Sequence, residues 1–372
     1  MNSGLYIHIP FCKSKCRYCD FNSFANREMD IEPYFFALNN EISMWSEKLA
    51  ERQFDTVYFG GGTPSFVDPA VLCECIRHIQ DCFSLSPDCE ITVECNPGTI
   101  SFDGLASLKK AGVNRLSIGL QATDNQALSV LGRIHSVNDF EECLSAARRA
   151  GFDNISLDLM YGLPDMTMEK WEKTLEKAVL YQPQHISAYA LKIEDGTPFS
   201  KMQLNLPDED LCADMYEKAV EFLRINGYCR YEISNFALPG KESRHNQKYW
   251  ECCDFLGLGA GAYSCIDNIR FNNEPDICRY IQSINTTGFA VIEKEELSFD
   301  EQMSEFVFLG LRCEKGISKT EFEKRFGKNI SDCFGHTIAR YIELGFLIDE
   351  NGYLHFSDKG FFVSNTILSD FV

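Results

Sequence analysis

The chain has 372 residues, 45% of them hydrophobic, and sets 35 Lys and Arg against 55 Asp and Glu for a formal net charge of −20. That length suits one large domain and a smaller one, and no apolar run is long enough to span a bilayer. The acidity excludes a phosphate-tracking nucleic-acid protein, which needs dense Lys and Arg; with no acidic tail or low-complexity block, it reads as ordinary solubility.

The first predicted element is a strand over 4–9, and it leads straight into Cys12, Cys16 and Cys19 at C-x3-C-x2-C spacing. Three close cysteines are compatible with a disulfide framework, half a zinc site, buried thiols or a metal cluster. The cysteine count is 17, an odd number, and no basic region followed by a long apolar core follows Met1, so the expectation is a chain without a signal peptide in a reducing cytosol. Zinc needs a fourth ligand, and the nearest histidine, His8, reads as a structural strand residue. The remaining cysteines are scattered and read as small buried hydrophobes. Iron-sulfur clusters usually take four thiolates. A trio therefore leaves one iron open to a small molecule.

Downstream, short runs rich in Ile, Val, Leu, Tyr and Phe predict strands over 55–60, 89–95, 114–119, 154–160 and 184–191. Helical patterns fall between them over 31–52, 69–83, 101–111, 137–150 and 167–181, and a further helix over 208–226 follows Pro207, a suitable first helical residue. Gly112, Gly151 and Gly227 act as helix stops. Six strand-helix units predict a parallel sheet closed into an incomplete barrel. Unusual residues collect at the strand ends, where such a barrel carries its site. They are Gly60-Gly61-Gly62-Thr63-Pro64, Glu94-Cys95-Asn96-Pro97, Gly119-Leu120-Gln121, and Asp158 inside an apolar strand, where a lone acid is costly without a partner.

The stretch Tyr6 to Phe21, with Tyr18 directly before the last cysteine, resembles the radical S-adenosylmethionine (SAM) superfamily. The resemblance implies a [4Fe-4S] cluster on Cys12, Cys16 and Cys19 whose free iron binds SAM and cleaves it to a 5'-deoxyadenosyl radical. The motifs are similar, residue by residue, to the branch that holds the oxygen-independent coproporphyrinogen III oxidases and the heme chaperones of the HemW type. In that branch Gly61, Gly62 and Thr63 would meet the amino end of SAM and Glu94 its polar parts. Tyr6, Tyr18, Gln121, Arg133 in Leu131-Gly132-Arg133-Ile134-His135, and Asp158 would supply further contacts. The implied fold is an α/β, incomplete (β/α)6 radical SAM barrel over 1–235. A heme-motif and connecting segment over 236–294 and a smaller HemN-type domain over 295–372 would follow it. Leu256 to Ser264, LGLGAGAYS, also fits the branch.

Two features separate the members of the branch. The oxidases extend the trio to C-x3-C-x2-C-x-C and carry an N-terminal extension, whereas here Phe21 takes the extra cysteine's place and the cluster motif begins at residue 12. The second feature is His245-Asn246-Gln247-Lys248-Tyr249-Trp250, similar to the H-N-x-x-Y-W motif of the chaperones. Neutral imidazole is a good iron ligand, so the resemblance makes His245 the heme ligand. Asn246 and Trp250 would pack or orient, Tyr249 and Trp250 would offer flat faces, and Lys241, Arg244 and Lys248 would pair with propionates. Cys252 and Cys253 stand as competing thiolates.

From residue 295 the pattern changes. Glu301 to Arg312 and Lys319 to Phe326 read as helices, Ile338 to Leu344 as another, and Phe346 to Leu354 as a hairpin with an Asn-Gly turn. This resembles a small winged-helix-like domain, expected to close over the barrel mouth. The resemblance implies a cytoplasmic heme chaperone that holds a [4Fe-4S] cluster, SAM and heme, and delivers heme to a membrane-bound or respiratory hemoprotein, meeting the membrane through that partner. The sequence neither requires nor excludes a homodimer. The alternative is an oxygen-independent coproporphyrinogen III oxidase, and the third reading is a radical SAM enzyme for an unrelated small molecule.

Overall fold

The computed structural model describes residues 2–371. Strands β1 (Ser3–Ile9), β2 (Gln53–Gly61), β3 (Ser84–Cys95), β4 (Arg115–Gln121), β5 (Ile155–Tyr161) and β6 (His185–Ala190) lie side by side in chain order, all parallel. Helices α1 (Ile31–Lys48), α2 (Pro69–Cys82), α3 (Phe102–Lys110), α4 (Asn125–Leu131), α5 (Val137–Arg149) and α6 (Met168–Leu180) connect them, and α7 (Glu209–Ile225) follows β6. This is the expected incomplete (β/α)6 barrel. It stays open because β1 and β6 pair with other strands: β6 with an antiparallel edge of β8 (Asn235–Ala237) and β7 (Cys229–Arg230), and β1 with β9 (Phe255–Leu258). Antiparallel β10 (Tyr263–Ile266), β11 (Ile269–Asn273) and β12 (Val291–Glu296) continue from β9, so residues 236–294 do more than connect: together with β7 and β8, these strands bring the barrel sheet to 12.

The side-chain alternation of the strands dictates this arrangement. Leu5, Ile7, Ile9, Val57, Phe59, Val93, Leu116, Ile118, Leu157, Leu159 and Ile186 point outward under the helices and are buried. Each such side chain contributes roughly 1.5–3 kcal/mol. The alternate positions carry Tyr58, Glu94, Arg115, Ser117, Asp158, His185 and Ser187, which turn into the barrel. A strand with one face so apolar and the other so polar can be placed in only one register.

Local chemistry sets the helix ends. Asp68 caps α2 ahead of Pro69, and Ser136 with Asp139 forms a capping box on α5. The helix expected over 208–226 begins at Glu209, because the Asp208 side chain accepts the Leu211 N–H as its cap. Helix α4 was not legible as a separate element. It is only seven residues long, and it ends at Gly132 in the left-handed conformation.

One buried acid ties the last strands to the first helix. Glu41 of α1 accepts hydrogen bonds from Tyr280 Oη at 2.7 Å, Asn273 Nδ2 at 2.7 Å and the Gly259 N–H at 2.8 Å. Tyr280 lies on α9 (Ile277–Thr287).

The C-terminal unit has its own core, built on Val307, Leu311, Ile317, Phe322, Leu354 and Leu368. Its order is α10 (Phe299–Gly310), β13 (Ile317–Ser318), α11 (Lys319–Phe326), α12 (Ile330–Glu343), β14 (Leu347–Glu350) and β15 (Tyr353–Phe356). That is the winged-helix-like order. Asn351 and Gly352 both have positive φ in the hairpin turn, as predicted. The unit does not close over the barrel mouth. It docks on α8 (Arg244–Trp250) and on the β7 edge: Arg325 donates to the Cys252 carbonyl at 3.0 Å and the Glu314 N–H to the Tyr231 carbonyl at 3.0 Å. No described helix is long and apolar enough to cross a membrane.

Glu41→Ala strands three buried donors, each costing about 1–3 kcal/mol when left unpaired. Urea unfolding of this variant should show a loss of at least 3 kcal/mol, and Glu41→Gln should lose less.

Candidate functional site

The cysteine loop leaves β1 through a short bridge in which Phe11 and Cys12 pair with Phe24 and Ala25. Its far side rests on the C-terminal end of α4, whose free carbonyls accept the Arg17 N–H (Leu131, 3.0 Å) and Arg17 Nη1 (Val130, 3.2 Å). Lys15 Nζ closes the loop on the Phe21 and Ser23 carbonyls. All three thiols thereby face one cavity of about 430 Å³ inside the barrel mouth.

Each sulfur meets a polar neighbour. Thr63 Oγ1 donates to Cys12 Sγ at 3.5 Å, Arg133 Nη1 donates to Cys16 Sγ at 3.6 Å, and Ser23 Oγ lies 3.9 Å from Cys19 Sγ. Burial pushes the Cys12 and Cys19 thiols up, while these hydrogen bonds and the Lys15 charge oppose it. Asn96 joins the first two contacts, donating to Thr63 Oγ1 at 2.8 Å and accepting from Arg133 Nη2 at 2.6 Å. Arg133 also donates to the Gly119 carbonyl at 2.7 Å. The network therefore runs from Cys12 through Thr63, Asn96 and Arg133 to Cys16.

Backbone shape at the strand ends serves the same cavity. Gly61 has φ +109°, and a Cβ there would fall 2.5 Å from the His8 ring. At Gly119 a Cβ would lie 2.8 Å from Asn96 Oδ1 and 2.9 Å from Arg133 Nη2. Gln121 adopts φ +65° although it is not glycine. Strain of this kind persists where the surroundings fix it, commonly at functional sites.

Two carboxyls descend into the barrel. Glu94 accepts from Tyr58 Oη at 2.8 Å and is pushed up to about 7, first by burial and further by Asp158, against the Tyr58 and Gly61 hydrogen bonds. Burial also raises Asp158, opposed chiefly by Ser117 Oγ at 3.1 Å.

Tyr6 and His245 do not line the cavity. His8 Nε2 must donate to the Asn22 carbonyl at 2.8 Å, so its Nδ1 accepts from Tyr6 Oη at 3.0 Å. His245 sits on α8 beneath the cavity and is 1% exposed. Thr56 Oγ1 lies 2.9 Å from its Nδ1 and Tyr249 Oη 2.8 Å from its Nε2, and Tyr58 stacks on its ring. Burial, with the Lys248 and Arg115 charges, lowers its pKa to about 3, so the ring is neutral. Two of the three expected propionate partners are also engaged: Lys248 with Asp55 at 2.6 Å, and Arg244 with Asp55 and Asp88. Of the motif, Asn246 alone lines the cavity.

The structure thus gathers Tyr18, Gly61, Gly62, Thr63, Glu94, Gln121, Arg133 and Asp158 with the three cysteines. Sequence reasoning missed Asn96, Ser117, Tyr58 and Arg115 as part of this set. Period-two spacing back from Gln121 points to Ser117 and Arg115, and back from Gly60 to Tyr58, since alternate residues of a strand share a face. Among the described residues no three ligand side chains stand close enough to share a single metal ion. Three thiols facing one cavity, with Thr63, Ser23, Lys15 and Arg133 around the sulfurs, fit the donor set of a cluster. When bound, a [4Fe-4S] cluster with SAM supplies one-electron cleavage of the sulfonium.

Barrel and cysteine loop together define a radical SAM protein, and sequence comparison agrees: residues 6–178 match the Radical SAM superfamily and residues 297–363 the HemN C-terminal domain. The chain is 35% identical to the heme chaperone HemW of Bacillus subtilis over 99% of its own length and 98% of the relative's. It is 37% identical to HemW of Lactococcus lactis, over 100% and 97%. The solved coproporphyrinogen III oxidase HemN of Escherichia coli superposes with a TM-score of 0.88 at 25% identity, covering 100% of this chain and 90% of that one. The chain belongs to the HemW family.

Asn96→Ala cuts the link between Thr63 and Arg133. After anaerobic reconstitution it should retain less iron and sulfide per chain than wild type, read by chemical analysis and visible absorbance. Glu94 gives a pH test. Its folded value of about 7 lies above the ordinary 4.5, so between these values the unfolded chain binds fewer protons and stability falls as pH rises. Glu94→Gln, without ligands, should therefore melt higher than wild type at pH 8, with the gap shrinking toward pH 5.

Proposed function

We propose that this chain is a heme chaperone: it holds a [4Fe-4S] cluster on Cys12, Cys16 and Cys19, seats SAM on the strand-end residues, binds heme, and passes it to a hemoprotein. The observation that carries this reading is the full-length likeness to HemW chaperones. Phe21 supports it, standing where the oxidases place a further cysteine. It is 64% exposed at the mouth, and with Tyr263, 65% exposed, it borders an adjoining groove, offering apolar faces to a planar ligand. Within this reading residues 1–235, 236–294 and 295–372 divide into barrel, heme-motif segment and C-terminal unit. The chaperone works in the cytoplasm and meets the membrane through a membrane-bound or respiratory recipient.

Heme ligation by His245 requires a rearrangement, because both ring nitrogens are already bonded inside the barrel floor. Helix α8 would have to shift, exchanging the Thr56 and Tyr249 hydrogen bonds for iron. Cys252 and Cys253 are weaker candidates, since they line a cavity of only about 50 Å³ against α10. The fold likeness to HemN keeps oxidative decarboxylation as the second reading.

Heme titrated into reconstituted wild type should bind at one equivalent, and His245→Ala should weaken it by about tenfold or more. Association should level off at high heme concentration, because opening of α8 limits the rate. Decarboxylation of coproporphyrinogen III by SAM and a reductant, with heme binding indifferent to His245, would make the chain an oxidase.

A further inference from the structure

Among the described residues, Arg115 is a buried cation with no contact partner for its charge. It is 2% exposed, among the largest fully buried side chains, and it lines the barrel cavity. Its guanidinium makes no hydrogen bond or ion pair with any described residue, and its Nε is buried without a partner. The nearby groups make no contact with it. Glu94 is bonded to Tyr58 and Asp158 to Ser117, and both act on Arg115 only through space. His185 is held by Ser156 at 2.7 Å and Tyr231 at 2.8 Å, and His245 by Thr56 and Tyr249.

Burying a cation with no partner costs several kcal/mol, and arginine cannot escape the cost by losing its proton. Structural arginines are paired. An unpaired one facing a cavity is a receptor for an anion supplied from outside, and a planar fork suits a carboxylate in two parallel hydrogen bonds. We propose that Arg115 is the carboxylate receptor of the barrel floor, taking a propionate of the tetrapyrrole carried by this protein. The assignment of the tetrapyrrole rests on the chaperone reading. The carboxylate chemistry does not, because the methionyl carboxylate of SAM could meet the same guanidinium.

The test separates these sources. Iron protoporphyrin IX, its dimethyl ester and SAM are titrated into cluster-reconstituted wild type, Arg115→Met and Arg115→Lys, and each protein is melted without ligand. Wild type should prefer the diacid over the ester by tenfold or more. Arg115→Met should lose that preference and Arg115→Lys should keep part of it. Without ligand, Arg115→Met should melt above wild type, since an apolar side chain replaces an unpaired charge. A diacid preference that persists in Arg115→Met overturns the proposal, as does equal binding of all three ligands by all three proteins. If wild type binds neither porphyrin, the chaperone reading fails and SAM decides: tenfold weaker binding by Arg115→Met keeps Arg115 as a carboxylate receptor, and unchanged binding removes it. Should Arg115→Met not fold, Arg115→Lys carries the same comparisons.

Discussion

Everything in this molecule depends on a barrel whose inner face is polar. The outward residues of β1 to β6 bury their apolar side chains under helices, and that burial pays for the fold. The inward residues are then committed to a space with little water, where each polar group must find a partner or cost free energy. Most find one: Tyr58 donates to Glu94, Ser117 to Asp158, and the His185 and His245 rings lie between hydroxyls. What is left unsatisfied marks where ligands belong.

The cysteine loop is held by the same economy of partners. A loop carrying three thiols has little apolar surface of its own, so its shape comes from hydrogen bonds to elements already fixed by the core. The end of α4 receives Arg17, and the ends of β2, β3 and β4 deliver Thr63, Asn96 and the Gly119 carbonyl. Arg133, immediately after α4, touches both the loop and the strand ends. Sulfur positions are thereby tied to strand positions.

Beneath the cavity, α8 works as a stopper. Glu90 accepts the His245 N–H at 3.2 Å at its first turn, Lys248 pairs with Asp55, and the C-terminal unit packs α10 against its outer side. The floor is thus shared between barrel and C-terminal unit, and displacement of α8 would be felt by both. That placement gives the C-terminal unit a role in holding the floor rather than covering the mouth.

Local patterns determined a great deal of this. The strand and helix alternation, the parallel order and the cysteine trio were legible because period and spacing are properties of consecutive residues. The Asn-Gly hairpin was legible for the same reason, and so were the strand-end residues, since a strand followed by Gly, Pro or Gln announces its own end. Tertiary structure alone decided the rest. Helix α4 is too short to show a period, and Asn96 acts only because Thr63 and Arg133 arrive beside it from other strands. The seven helical residues around His245 are too few for a periodic signal, and its burial depends on β1 and β2, some 190 positions earlier for Thr56. The docking of the C-terminal unit was likewise hidden, because a surface is made by residues that the sequence scatters. Sequence fixes which face a residue takes within its own strand or helix; which face of another element it meets is settled only by packing.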